Sequence, residues 1–333
     1  MSPSSDTSGR RNHLRILARI AATPELTGVG ILIAVLIAFS LVSPAFLTAR
    51  NLQNVLLITP ELGLITLGLA ILIISGEFDL SVGSVFALSP MIVILAFAAG
   101  LGFWPSVILG LLGAAAVGLT NGWITLRFGI PSFIATLGTL FAVRSLTVII
   151  SGGFPPPFPD GMNTAIFVAN FGYFRASLLW FCGIAVVLAL FLHRSNFGNW
   201  IFATGGQTQA ARDMGIPVDT VKTMCFVLCS VLAGLAGIIQ TFRIESPLPS
   251  AGEGLELQAI AAAVIGGVAL AGGVGSVIGA VIGTLLIRLI DNGLVMSRID
   301  ANWFKFALGV LTIGSVIFNG SIQRAAARLA RSR

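Results

Sequence analysis

The chain has 333 residues, of which 56% are hydrophobic and only 10% charged, with a formal net charge of +6. A soluble domain carries about 25% charged residues, so a soluble globular fold is excluded. The positive excess sits at the two ends, at Arg10, Arg11, Arg15 and Arg19 and again at Arg324, Arg328, Arg331 and Arg333, so it reads as membrane anchoring and not as a nucleic-acid-binding face.

Apolar stretches of membrane-spanning length recur between Gly28 and Asn319. The expected class is therefore an all-α polytopic membrane protein, since bundled helices satisfy their own backbone groups in lipid. A transmembrane barrel would show short alternating segments instead. In chain order the reading is a basic tail, 1–27, a membrane domain, 28–319, and a second basic tail, 320–333. The membrane domain divides into ten predicted spans: 28–46, 52–75, 80–100, 104–126, 130–150, 176–193, 221–243, 256–271, 274–292 and 302–319. An even number places both tails on one side. With both inside, the eight terminal arginines join Arg127, Arg194, Arg212 and Lys222 on the cytoplasmic side, against Arg50, Arg175, Arg243, Arg298 and Lys305 outside. That excess obeys the positive-inside rule. Two connections are long. The outer one, 151–175, contains GGFPPPFPDG, an extended and stiff segment. The inner one, 194–222, is the most polar stretch between the tails.

The segment ISGEFDLSVGSVFAL, residues 74–88, places Glu77 and Asp79 inside apolar sequence. A single helix over 64–99 would be about 54 Å long, against a hydrocarbon core of about 30 Å. Each central acid costs roughly 2.5–3.5 kcal/mol, against about 0.3–0.6 gained per large apolar residue. The chain must therefore break at 75–84, and the break is expected at the inner surface. Asp79 is expected to N-cap the following helix, whose dipole favours a carboxylate there. Glu77 reads as an interfacial acid. Ser81, Gly83 and Ser84 complete the break motif.

The tetrapeptide VGSV occurs at 82–85 and again at 274–277, which hints at the internal repeats common in transporters. Gly275, Gly279 and Gly283 form a small-residue row, as do Gly110, Ala114 and Gly118. Such rows let helices approach closely, either within one bundle or between subunits. The cysteines, Cys182, Cys225 and Cys229, lie in apolar runs and read as small buried hydrophobes. No metal-site spacing is present, and none is expected to bind metal. Polar residues within spans are candidates for a translocation path: Asn54, Glu61, Asn121, Thr136, Thr139, Arg144, Gln258 and Asn292. Helix–helix hydrogen bonds and ion pairs are the competing reading. Arg144 needs a carboxylate, with Glu61 the expected partner, and Arg288 and Asp291 can neutralise each other at i, i+3.

GEFDLSVGS resembles the G-x-I-D-L-S-V-G-S signature of the ribose/xylose/galactoside-type permeases of bacterial ABC sugar importers. The resemblance continues through NGWITLRFGIPSFIATLGTLFAVRSL, 121–146, GNWIFATGGQTQAARDMGI, 198–216, and LQAIAAAVIGGVALAGGVGSVIGAVIGTLL, 257–286. It implies a ten-helix subunit of the bacterial inner membrane that pairs with a second permease subunit, identical or not. It also implies a cytoplasmic ATPase and a periplasmic sugar-binding protein as partners, and import as the direction. The segment Gly205, Gly206, Gln207, Gln209, Ala210, Ala211, Arg212, Gly215 and Ile216 resembles the loop that docks the ATPase, with Gln209 where the family pattern has Glu. The outer arginines, Arg50, Arg175, Arg243 and Arg298, are the expected docking points for acidic groups on the binding protein.

The chain is not expected to be an enzyme or to hold a cofactor. Its only lysines, Lys222 and Lys305, follow Val221 and Phe304, so no G-x-x-x-x-G-K-[ST] phosphate loop exists. ATP and magnesium belong to the partner. Two other readings compete: a permease for branched-chain amino acids or nucleosides in the same superfamily, whose members lack the full D-L-S-V-G-S block, and an ion-coupled secondary carrier, which needs no ATPase dock. The particular sugar is not legible.

Overall fold

The computed structural model describes residues 24–300, 303–314 and 317, with side chains from residue 28 on. The first basic tail up to residue 23 and the whole of the second, 320–333, lie outside the described residues. The chain is helical almost throughout. Its elements are α1 (Pro24–Val42), α2 (Ala49–Ile74), α3 (Val82–Ala98), α4 (Phe103–Phe128), α5 (Ser132–Ile150), a short α6 (Ala165–Val168), a hairpin of β1 (Asn170–Phe171) and β2 (Phe174–Arg175), then α7 (Ala176–Arg194), α8 (Asn196–Gly206), α9 (Thr208–Asp213), α10 (Val218–Ile244), α11 (Leu255–Ile265) and α12 (Val277–Met296). The last described helix is α13 (Trp303–Gly314).

Helix ends follow local chemistry. Thr48 Oγ1 accepts from the Asn51 N–H at 3.4 Å to start α2, Ser195 Oγ accepts from Gly198 at 3.0 Å to start α8, and Ser276 Oγ accepts from Gly279 at 3.0 Å to start α12. Six helices, α2, α4, α5, α7, α10 and α12, are long and apolar enough to cross a membrane; α1, α3, α11 and α13 are shorter apolar helices. All ten predicted spans thus coincide with a helix. The eighth is corrected: the span expected over 256–271 is helical only to Ile265, because the glycines that follow turn the chain, Gly267 at φ +96° and Gly272 at φ +83°.

Most of α2, α3 and α10 is buried. Around them, α4, α5 and α7 present apolar outer faces that include Leu112, Trp123, Phe141, Leu179 and Val187. In lipid, apolar burial does not by itself drive helices together; close packing does. Both small-residue rows serve that end inside the chain. A Cβ on Gly283 would lie 1.9 Å from the Ala262 carbonyl oxygen, and one on Gly279 2.0 Å from that of Gly266, so α12 meets α11 backbone to backbone. Gly275 faces Ile74 of α2. Gly110 and Gly118 admit Ser89 of α3 and Phe226 of α10 in the same way. The two VGSV copies are not equivalent: Ser276 of the second is an N-cap, whereas Ser84 of the first lies within α3 and donates to the Leu140 carbonyl.

The Pro-rich segment 151–175 is held to one end of the bundle by aromatic contacts. Phe158 and Phe167 pack 6.3 and 5.7 Å from Phe242, and Phe167 stacks on Trp180 at 5.6 Å. The opposite end carries α8 and α9.

Candidate functional site: the buried helix break and the α8–α9 end

The break between α2 and α3 is half-buried at Gly76, Glu77 and Phe78 and enclosed on either side. Ser75, Asp79, Ser81 and Ser84 are all fully buried. From Ile74 the chain turns into the bundle, so α3 starts inside the protein. Three neighbouring segments, α5, α10 and the α10–α11 connection, hold it there. Ser132 Oγ and Thr136 Oγ1 of α5 accept from the N–H groups of Phe78 and Leu80, each at 3.1 Å. Lys222 of α10 pairs with Glu77 at 2.6 Å; Glu77 is therefore an ion-pair member and not a free interfacial acid. Arg144 donates to the Gly83 carbonyl at 3.0 Å and to those of Pro249 and Ala251 at 3.1 and 2.6 Å, tying α3 to α5 and to the α10–α11 connection.

Asp79 is not the N-cap. Ser81 holds that position, and Asp79 Oδ1 accepts from the Ser81 N–H at 2.7 Å and the Ser81 hydroxyl at 2.6 Å. Its Oδ2 accepts from Asn121 Nδ2 at 3.2 Å and from the Ser230 hydroxyl at 3.4 Å. Asn121 also donates to Ser81 Oγ at 2.9 Å, while its own Oδ1 is buried without a partner. Among the described residues no Lys or Arg pairs with Asp79. The carboxyl joins α3, α4 and α10 through hydrogen bonds alone.

The remaining path candidates divide sharply. Glu61 pairs with Arg243 at 2.6 Å and accepts from Gln240 at 3.3 Å, so it is not the partner of Arg144. Arg144 bonds carbonyls directly, and the carboxylates that act on it are Glu256 and Glu253, not Glu61. Asn292 and Asn51 exchange both amide hydrogen bonds, at 2.7 and 3.0 Å. Arg288 and Asp291 lie 3.8 Å apart, as their spacing predicts. Gln258 is half-buried, with Oε1 lacking a partner. Asn54 is exposed, and Thr139 is half-buried at the wall of a groove. Asn54 lines a cleft of about 150 Å³ with Gln53, Asn170, Tyr173 and Arg175 at the Pro-rich end. Thr139 lines a groove of about 510 Å³ between α4 and α5. Of the four outer arginines, Arg50 and Arg298 are exposed, Arg175 is half-buried in the cleft, and Arg243 is engaged by Glu61.

At the opposite end, α9 projects as a single short helix closed by Gly215 at φ +82°. Gly215 donates to the Arg212 carbonyl at 2.9 Å and Ile216 to that of Ala211 at 3.0 Å, the paired bonds of a Schellman ending. Gln209 donates to Asp213 at 3.0 Å, and Arg212 pairs with Asp219. Ala211 is buried, 3% exposed, so it anchors α9 to the protein. Met214, which the sequence reading passed over, is 82% exposed beside Gly215. A large apolar side chain in a polar loop was the available signal.

The described residues thus form a bundle of apolar helices that carries a short, capped helix, α9, in the connection between α7 and α10. Residues 51–316 match the family described as branched-chain amino acid transport system / permease component, and the chain belongs to that family. It is 33% identical to the ribose import permease protein RbsC of Escherichia coli K12 over 327 residues, 95% of this chain and 98% of that relative. It is 35% identical to RbsC of Bacillus subtilis strain 168 over 300 residues, 87% and 90% of the two chains. It is also 33% identical to the autoinducer 2 import system permease protein LsrC of Yersinia enterocolitica over 311 residues, 91% and 85% of the two. No solved structure matches the chain.

Proposed function

We propose that this chain is the permease subunit of an ABC importer for a monosaccharide. The observation that carries the substrate class is identity of about one third, over nearly the full length, to permeases named for ribose import. The chain crosses the membrane ten times, with both tails and α9 in the cytoplasm and 151–175 outside. A separate ATPase docks on α9 and supplies ATP and magnesium. A periplasmic binding protein delivers the sugar at the Pro-rich end, where Arg50, Arg175 and Arg298 are available for its acidic groups.

The path lies on the surface of this subunit and is completed by a second permease subunit. Five of the eight polar candidates, Glu61, Asn121, Thr136, Arg144 and Asn292, are bonded to other segments of the bundle, so they hold the helices and do not line an opening. Asn54 and Thr139 remain as contacts for solute. The D-L-S-V-G-S block is then a structural hub that fixes where α3 begins.

The substrate class is tested on the cognate binding protein. Thermal-shift screening against monosaccharides, branched-chain amino acids and nucleosides is expected to pick out a pentose or hexose. Stabilisation by leucine or a nucleoside alone would contradict the sugar reading.

A further inference from the structure

Three segments meet at the α8–α9 end with no side chain between them. A Cβ on Gly205, in the last turn of α8, would lie 1.8 Å from the Ile74 carbonyl oxygen at the end of α2. One on Gly272, in the turn between α11 and α12, would lie 2.7 Å from the Gly205 carbonyl oxygen and 3.1 Å from Gly76 Cα. One on Gly273 would lie 2.5 Å from Gly206 Cα. The Gly273 N–H donates to the Ile74 carbonyl at 2.8 Å, which locks the second and third segments together. Gly76, Gly272 and Gly273 all have positive φ, so glycine is also the residue their backbones favour.

Backbone packed on backbone has few soft degrees of freedom, because there are no rotamers to absorb a displacement. Gln207 alone separates α8 from α9. On the other side, Ile74 leads into the buried break, with Glu77 gripped by Lys222 one residue past Gly76. Gly273 leads into Ser276, the cap of α12.

We propose that Gly76, Gly205, Gly272 and Gly273 form a rigid junction that carries displacement of α9 into both helix breaks at once, and that the three segments move as one body through the transport cycle. The glycines act as positioning residues. The inference rests on the reading of α9 as the ATPase dock.

Two neighbouring substitutions separate junction from helix. A Cβ on Gly206 would come no closer than 3.9 Å, to Gly273 Cα, whereas one on Gly205 cannot fit. Gly206→Ala is expected to keep the solute moved per ATP, and Gly205→Ala to lower it about tenfold while the ATPase still co-purifies. Wild-type coupling in Gly205→Ala would overturn the junction. The second measurement needs no mutation inside it. Spin labels on Gln207→Cys and Ala271→Cys, both exposed, flank the contact in a chain lacking Cys182, Cys225 and Cys229. The reconstituted complex is expected to give one distance distribution, the same with and without trapped ATP. A shift or broadening on trapping ATP would overturn the proposal, whether or not Gly205→Ala folds. Met214→Glu keeps the two readings apart: if it leaves ATPase association intact, the dock itself lies elsewhere.

Discussion

Asp79 illustrates how a buried acid is tolerated without a cation. Its two oxygens accept from a backbone N–H, two hydroxyls and an amide, and leaving a buried polar group without its partner costs about 1–3 kcal/mol. Asp79→Asn retains Oδ1 for Ser81 but turns a donor toward Asn121 Nδ2. Asn121 can answer by rotating its amide, which turns its unpartnered Oδ1 toward the new donor at the cost of the bond from Nδ2 to Ser81 Oγ. Asp79→Asn is thus expected to keep most transport, whereas Asp79→Leu strands Ser81, Asn121 and Ser230 and lowers assembled protein severalfold in the membrane. Uptake assays beside gel filtration of the solubilised protein check this. Loss of transport by a normally assembled Asp79→Asn would mean that the charge itself matters.

The same residue marks what the sequence could and could not convey. Two acids in apolar sequence forced a break near 75–84, and the break is there. That it lies inside the bundle was not legible, because its partners are 40 to 151 residues away in sequence, on α4, α5 and α10. The partner of Arg144 was misread for a related reason. Its hydrogen bonds go to the carbonyls of Gly83, Pro249 and Ala251, which leave no mark in side-chain sequence, and the carboxylates beside it, Glu253 and Glu256, lie more than 100 residues on.

At the scale of elements, hydrophobic length and glycine placement located the ten apolar helices and α9, but not the short α6 or α8. They overestimated α11, where Gly266 and Gly267 stop a stretch that remains apolar. α9 was readable as a short helix ended by Gly215, yet its face was not: Ala211, taken for a contact residue, is turned inward. A tryptophan there would disrupt the protein and not only the dock. Met214→Glu is the cleaner probe, because it adds charge to an exposed apolar contact and removes nothing from the interior. It is expected to leave expression and insertion near wild type and to reduce ATPase co-purification at least tenfold, an effect in the range of interface hot spots. Quantitative pull-down from detergent extracts measures it, and an unchanged yield of ATPase would remove Met214 from the interface.

At the scale of the whole molecule, the ion pair Lys222–Glu77 near the α8–α9 end and Arg243–Glu61 toward the Pro-rich end tie α2 to α10 at well-separated levels. The two helices run antiparallel as a central strut, with α8–α9 at one end and 151–175 at the other. The proposed orientation puts the first in the cytoplasm. A cysteine at Pro156, in a chain lacking the three native cysteines, is expected to react with an impermeant maleimide in intact cells. Reaction only after permeabilisation would invert the orientation.

The central claim is that this chain passes a monosaccharide only when a separate ATPase drives it. The most direct test is uptake of radiolabelled sugar by proteoliposomes holding the permease and its ATPase, with the loaded binding protein added outside and ATP enclosed. The account predicts uptake that requires enclosed ATP and binding protein together and is indifferent to ionophores that collapse proton and sodium gradients. Uptake by the permease alone, driven by an imposed ion gradient without ATP, would contradict it.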